Sequence, residues 1–153
     1  MDTMDLLYKQ FEMARNGFLR ELNNADEGAV DVQPEGFNNN IHWHAGHVLT
    51  VAEQFLFGFP ENSSHLPENY KEWFGNGSSP ADWPADVPSV KKLTEQLEQH
   101  LERMKQIPRE NFDEKLAKPF LGAETFGELA AVAVIHETNH AGQINSMKKA
   151  VNK

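Results

Sequence analysis

Four segments of the chain repeat apolar residues every three or four positions, and this periodicity constrains the fold more than any other feature of the sequence. A repeat of that kind is typical of amphipathic helices. No segment of comparable length alternates apolar and polar residues, so the sequence predicts an all-α protein, a four-helix bundle with long connections between helices. The predicted helices cover, in order, residues 2–23, 40–57, 87 or 89–107, and 125–151.

The longest connection, residues 58–88, is rich in proline, glycine, serine and asparagine. Its stretch ENYKEWF predicts a short helix, and the aromatic residues Tyr70, Trp73, Phe74 and Trp83 favour an ordered segment packed on the bundle. The whole chain has 153 residues, which is the size of one domain, so we expect a single domain over residues 1–153.

The composition excludes several classes of function. The chain has no cysteine, so any metal site must use nitrogen and oxygen ligands, and any reacting thiol must come from outside the protein. The net charge of −9 argues against nucleic acid or an anionic membrane as a partner. The N-terminus has acidic residues where a signal peptide has basic ones, and it lacks a continuous apolar stretch. We therefore expect a cytoplasmic protein.

The last predicted helix contains the string His-Glu-x-x-His, with His136, Glu137 and His140. Two histidines four residues apart project from the same side of a helix and can bind one cation. Both lie beside the apolar positions that must face the bundle, and a buried imidazole without a partner is costly. A pair of ordinary hydrogen-bonded core histidines is the competing interpretation, and we favour a metal site.

The same string is the zinc signature of many metalloproteases, but two features argue against a protease. Those enzymes take a third metal ligand from further along the chain, whereas AGQINSMKKAVNK after His140 has no histidine, aspartate or glutamate. They also use a β-sheet edge to bind an extended peptide, and no strand is predicted. A third ligand must come from the start of helix two, where His44 and His47 flank the apolar stripe and His42 points away from it.

Two motifs in this chain resemble those of the DinB/YfiT-like superfamily of metal-dependent four-helix proteins. The first, N-x-x-x-W-x-x-x-H-x-L, opens helix two, and the second, H-x-x-x-H-x-G-Q-I, lies in the last helix. The resemblance covers essentially the whole chain. The matching residues are Asn39, Trp43, His47 and Leu49, and then His136, His140, Gly142, Gln143 and Ile144.

The resemblance implies a metal triad of His47, His136 and His140, with His44 as a neighbour, in helices of up-down-down-up order. It also implies a divalent metal, often zinc or nickel, and frequent homodimers. Some members of the superfamily are S-transferases or isomerases that use bacillithiol or mycothiol, others are described as hydrolases, and many have no known substrate.

Other polar residues are weaker candidates for the site. Gln143 could orient a bound ligand, and Glu137 could act as a general base, although we expect Glu137 to contact an imidazole or face solvent. Asn40 is interpreted as the N-cap of helix two, Trp43 as core, and His65 and His100 as surface residues.

The sequence therefore predicts a metal-dependent enzyme acting on a small molecule. A small-thiol-dependent S-transferase or a hydrolase agrees with both the residues and the resemblance. The alternative is a metal-binding or ligand-binding bundle, related to stress, that has no turnover. A purely structural histidine cluster is the third possibility.

Overall fold

The computed structural model describes residues 2–58 and 65–152. Residues 59–64 of the long connection, and both terminal residues of the expected domain, lie outside this described part. The described chain has four long helices and one short helix, and two short strands precede the last helix. The elements are α1 (Thr3–Asn23), α2 (Ile41–Phe57), α3 (Asn69–Phe74), α4 (Val90–Lys105), β1 (Lys115–Phe120), β2 (Ala123–Thr125) and α5 (Phe126–Val151).

Polar caps fix where the long helices begin. The side chain of Asp2 accepts hydrogen bonds at the start of α1, and Asn40 and Ser89 do the same for α2 and α4. Thr125 and Glu128 form the expected capping box of α5. Both the interpretation of Asn40 as a cap and the short helix within ENYKEWF are confirmed.

Contacts between the helices give their directions. α2 and α5 are antiparallel, because His44 meets His140 while His47, further along α2, meets His136. α4 runs parallel to α2, since His42 near the start of α2 contacts Pro88 just before α4, and Glu53 near the end of α2 contacts Arg103 near the end of α4. Lys148 joins the last turn of α5 to the last turn of α1, so these two helices are also parallel. The bundle therefore has the up-down-down-up order that the resemblance implies.

The first half of α2 is buried on every side. All ten residues from 41 to 50 are buried, including three histidines, because α4, α5 and the connection carrying α3 surround them. Gly46 makes this packing possible: a Cβ at that position would lie 2.2 Å from a ring carbon of Phe74. α3 therefore packs directly on the backbone of α2.

The chain between α4 and α5 forms an antiparallel hairpin, where the sequence predicted no strand. Leu121 and Gly122 both have positive φ, of 52° and 84°, as the tight turn of a two-residue hairpin requires. The strand pattern is hidden in the sequence because Pro119 interrupts β1 and leucine is rare at positive φ. The all-α class still describes the fold, since the hairpin is its one small sheet in the described residues.

No helix in the described residues has the length and apolar character needed to cross a membrane.

Candidate metal centre

Three histidines from two distant parts of the chain converge between α2 and α5. Nε2 of His136 lies 3.2 Å from Nε2 of His47 and 3.1 Å from Nε2 of His140. One nitrogen from each residue lies within 4.8 Å of the others, so the group could hold one metal ion. His47 and His140 are buried, while His136 is half-buried at the edge of the helix interface.

The spacing of these nitrogens fits a shared divalent ion. Three nitrogens bound tetrahedrally to one zinc ion at its usual bond length lie about 3.3 Å apart. The two measured separations are within about 0.2 Å of that value. The donor set also fits, because imidazole suits zinc and nickel and the chain offers no thiolate.

The surroundings of His47 point its Nε2 lone pair at the centre of the cluster. Nδ1 of His47 lies 2.7 Å from the carbonyl oxygen of Phe74. A carbonyl oxygen only accepts, so Nδ1 carries the proton and Nε2 is the bare nitrogen. The Trp43 ring stacks on the imidazole, with centroids 4.3 Å apart and planes 13° apart. His47 is thereby held in the tautomer and orientation that a metal ligand needs.

His44 contacts the opposite side of the cluster. Its Nδ1 lies 2.8 Å from Nδ1 of His140, so one of these two nitrogens donates to the other. If Nε2 of His140 faces a metal, Nδ1 of His140 is the donor and His44 accepts. Nε2 of His44 is then a buried N–H that lacks a hydrogen-bond partner in the described residues. A buried unpaired donor is expensive, and this favours a positioning role for His44.

Burial keeps the clustered histidines uncharged at neutral pH. Desolvation lowers the pKa of His44 and His136 to about 4 and that of His140 to about 2. It also lowers the pKa of His47, although the hydrogen bond to Phe74 opposes the shift. Mutual repulsion between the protonated rings adds to the shifts of His44, His136 and His140. The neutral imidazole is the form that binds metal.

Glu137 faces the core next to α1, and neither expected role is observed. It is 1% exposed, and its carboxylate receives two hydrogen bonds from Arg15, from Nε at 2.7 Å and from Nη2 at 2.9 Å. It therefore does not face solvent, and its hydrogen bonds go to Arg15. Both carboxylate oxygens are thus occupied by the guanidinium of Arg15.

His100 is also buried, and the expectation that it lies on the surface is wrong. It is 2% exposed, and Nη1 of Arg15 donates to its Nδ1 over 3.1 Å. Its Nε2 lies 3.4 Å from a carboxylate oxygen of Glu53, which is paired in turn with Arg103. Sequence reasoning missed this buried chain of polar groups, although Arg15 and His100 both occupy positions on the apolar stripes of their helices.

The remaining candidates lie apart from the three nitrogens. Gln143 is half-buried on α5, and in the described residues no hydrogen bond joins it to the histidine cluster. His42 is buried, with Nδ1 2.7 Å from Asp31 and Nε2 2.7 Å from the carbonyl oxygen of Pro88. His65 is exposed, as expected.

Comparison with known proteins identifies the family and the fold. Residues 10–144 match the family model described as the DinB superfamily. No curated protein sequence matches the chain. A crystal structure titled as a conserved protein from Enterococcus faecalis superposes with a TM-score of 0.68 at 15% identity, covering 100% of this chain and 99% of that one. At this identity the likeness shows the fold alone.

Proposed function

We propose, from the premise that this chain belongs to the DinB superfamily, that it is a metal-dependent enzyme whose His47, His136 and His140 bind one divalent ion, zinc or nickel. The observation that carries the proposal is the convergence of three neutral imidazole nitrogens, two of them with their second ring nitrogen hydrogen-bonded. Three protein ligands leave a position open for a reactant, as catalytic zinc sites do.

The protein supplies orientation and a dry environment for this site. Phe74 and Trp43 fix the ring of His47, and His44 holds that of His140. A divalent ion bound there would lower the pKa of a thiol or water that coordinates it. The buried rings surrounding it exclude competing solvent.

A small-thiol-dependent S-transferase is the activity that these residues support best. The chain has no cysteine, so the thiol must be an external cofactor such as bacillithiol or mycothiol, and its acceptor a small electrophile. A coordinated thiol ionises without a general base. The reaction therefore does not need Glu137, whose carboxylate is paired with Arg15. Small thiols are kept reduced in the cytoplasm, where we place the enzyme.

Metal content tests the site itself. Protein purified without an affinity tag is expected to contain close to one divalent ion per chain by elemental analysis. The double variant His47→Ala, His140→Ala should contain none, and His65→Ala, which removes an exposed histidine, should match the wild type. Wild-type protein that does not retain zinc or nickel even after incubation with either ion would refute the metal site.

Turnover tests the reaction. Metal-loaded protein is expected to join bacillithiol to monochlorobimane faster than the uncatalysed reaction, and His47→Ala, His140→Ala should remove that acceleration. Hydrolysis of activated esters without any effect of thiol would replace the transferase by a hydrolase. A stoichiometric metal with neither activity, over a broad panel of electrophiles and esters, would make the protein a binding module.

We also propose that the protein forms a homodimer through the face shared by α1 and α5. Met13 and Ile135 are 65% and 69% exposed there, beside a shallow groove lined by small residues that include Ala14, Gly17 and Ala131. Large apolar side chains beside small ones on one face are suited to a two-fold contact. Light scattering should give twice the chain mass, and Ile135→Glu with Met13→Glu should give a monomer.

A further inference from the structure

A cavity of about 930 Å³ lies under the β1–β2 hairpin. Its other walls come from the last turns of α2 and α4, the connection between α4 and β1, and the first residue of α5. None of the three histidines lines it. Its volume is within the range of cavities that bind small molecules, roughly 300–1,000 Å³.

Most of the cavity wall is apolar. Such walls favour a ligand with an aliphatic or aromatic body. The large apolar lining residues are Leu56, Phe57, Ile107, Leu116, Phe120 and Phe126.

The charged residues of the wall are mainly basic. Arg103, Lys115 and Lys118 line the cavity with one acidic residue, Glu114. Glu53 pairs with Arg103 from behind the wall, so one positive charge remains in excess. The chain as a whole carries −9, so this is a local reversal of sign. A concave surface with charges of one sign concentrates ligands of the opposite sign.

Arg103 is held in place at the cavity wall and keeps spare donors. Its Nη1 bonds both carboxylate oxygens of Glu53, at 2.8 and 2.9 Å, and its guanidinium lies 4.1 Å from the centroid of the Phe57 ring. In the described residues, Nε and Nη2 form no hydrogen bond. Arg103 can therefore bind an anion without giving up Glu53.

We propose that this cavity binds a small amphipathic anion, a carboxylate on an aliphatic or aromatic body. Arg103, Lys115 and Lys118 bind the carboxylate, and the apolar walls cover the body. A neutral apolar ligand would leave the cations without a role, and a compact polar anion would leave the apolar walls exposed to water. The proposal does not depend on the metal centre.

Displacement of a fluorescent anion measures this binding. The probe is 8-anilinonaphthalene-1-sulfonate, and octanoate and 1-octanol are the competitors. Octanoate is expected to displace the probe at concentrations at least tenfold lower than octanol, because only octanoate has a charge for the basic residues. Protein stripped of metal and dialysed free of chelator should give the same result, so failure of the metal site would not affect this test.

Charge reversal locates the site. Lys115→Glu with Lys118→Glu should weaken octanoate binding at least tenfold, and both side chains are exposed, so the fold should persist. The matched control is Lys91→Glu with Lys92→Glu, two exposed residues in the first turn of α4, at the other end of that helix from Arg103. It changes the net charge equally and should alter binding less than twofold. Three results would overturn the proposal: no displacement by octanoate, equal weakening in both double variants, or equal potency of octanol.

Discussion

Replacing Arg15 by methionine isolates the structural role of the Glu137 carboxylate. Arg15 is fully buried, and its guanidinium contacts Glu137, the carbonyl oxygen of Leu97 and Nδ1 of His100. Arg15→Met removes all of these donors at once and leaves Glu137 as a buried charge without its partner. We expect the folded protein to be strongly destabilised although no metal-binding residue is changed.

The size of the loss follows from these contacts. Removing one partner of a buried ion pair costs about 3–5 kcal/mol, and a buried carbonyl that loses its donor, as that of Leu97 does, costs about 1–3 kcal/mol. The two costs overlap, so Arg15→Met should lower the free energy of unfolding by about 4–6 kcal/mol. The double variant Arg15→Met, Glu137→Leu no longer buries a lone charge and should regain at least about 2 kcal/mol.

Urea denaturation, followed by circular dichroism, measures the free energy of unfolding of both variants. An unchanged slope m indicates that their unfolded states are comparable with that of the wild type. If Arg15→Met does not fold, Arg15→Lys keeps the charge without the paired geometry and serves as the milder variant. The double variant should retain the metal stoichiometry of the wild type. A loss below about 1 kcal/mol for Arg15→Met, or a double variant less stable than the single one, would refute this account of Glu137.

Three further predictions concern single positions. Gly46→Ala places a methyl group 2.2 Å from the Phe74 ring and should cost about 1–3 kcal/mol of stability, whereas Gly142→Ala, which has open space, should be neutral or stabilising in the same urea experiment. His44→Phe should weaken metal binding about 10–100-fold in a chelator competition, while the urea midpoint falls little. Burial lowers the pKa of His100 to about 4, so this histidine takes up a proton in the unfolded chain at a higher pH than in the folded protein. The free energy of unfolding therefore falls as the pH drops from about 6.5 to about 4, and His100 accounts for about 3 kcal/mol of that fall. The same urea experiment, repeated across this pH range, should show this part of the loss disappear in His100→Gln.

The sequence predicted the helices well because their signals are local. Asn40, Ser89 and Thr125 accept hydrogen bonds from backbone groups of their own helices, so the side chain that starts each helix can be read from the sequence alone. The hairpin was missed because its turn depends on Leu121 at positive φ, which only the surrounding structure imposes.

Periodicity could not decide between His44 and His47, and the burial of α2 explains why. An apolar stripe identifies the inward side of a helix only when the other side meets water. Here both residues are buried, and so is His42, because other elements cover that half of α2 on every side. The atom that orients His47 is the carbonyl oxygen of Phe74, a backbone group 27 residues away. No pattern of side chains in the sequence predicts such a contact.

Arg15 and His100 could have been recognised as buried. Arg15 lies four residues after Phe11 and three before Phe18, on the apolar stripe of α1. His100 lies three residues after Leu97 on the stripe of α4, and all five side chains are buried. A polar residue at an inward position predicts a polar partner from another helix, since an unpaired buried charge is too costly. The identity of that partner depends on how the helices pack, which the stripe alone does not give.

The string His-Glu-x-x-His on α5 is divided between two neighbouring helices. With about 100° per residue, His140 lies about 40° from His136 around the helix, and Glu137 lies about 60° further on. The inward side of α5 meets α2 at one edge and α1 at the other, so the histidines meet His47 of α2 while Glu137 meets Arg15 of α1. A protease needs all three groups to face one open cleft. In this bundle α1 occupies the side of Glu137. The same five residues therefore combine a candidate metal site with a buried ion pair.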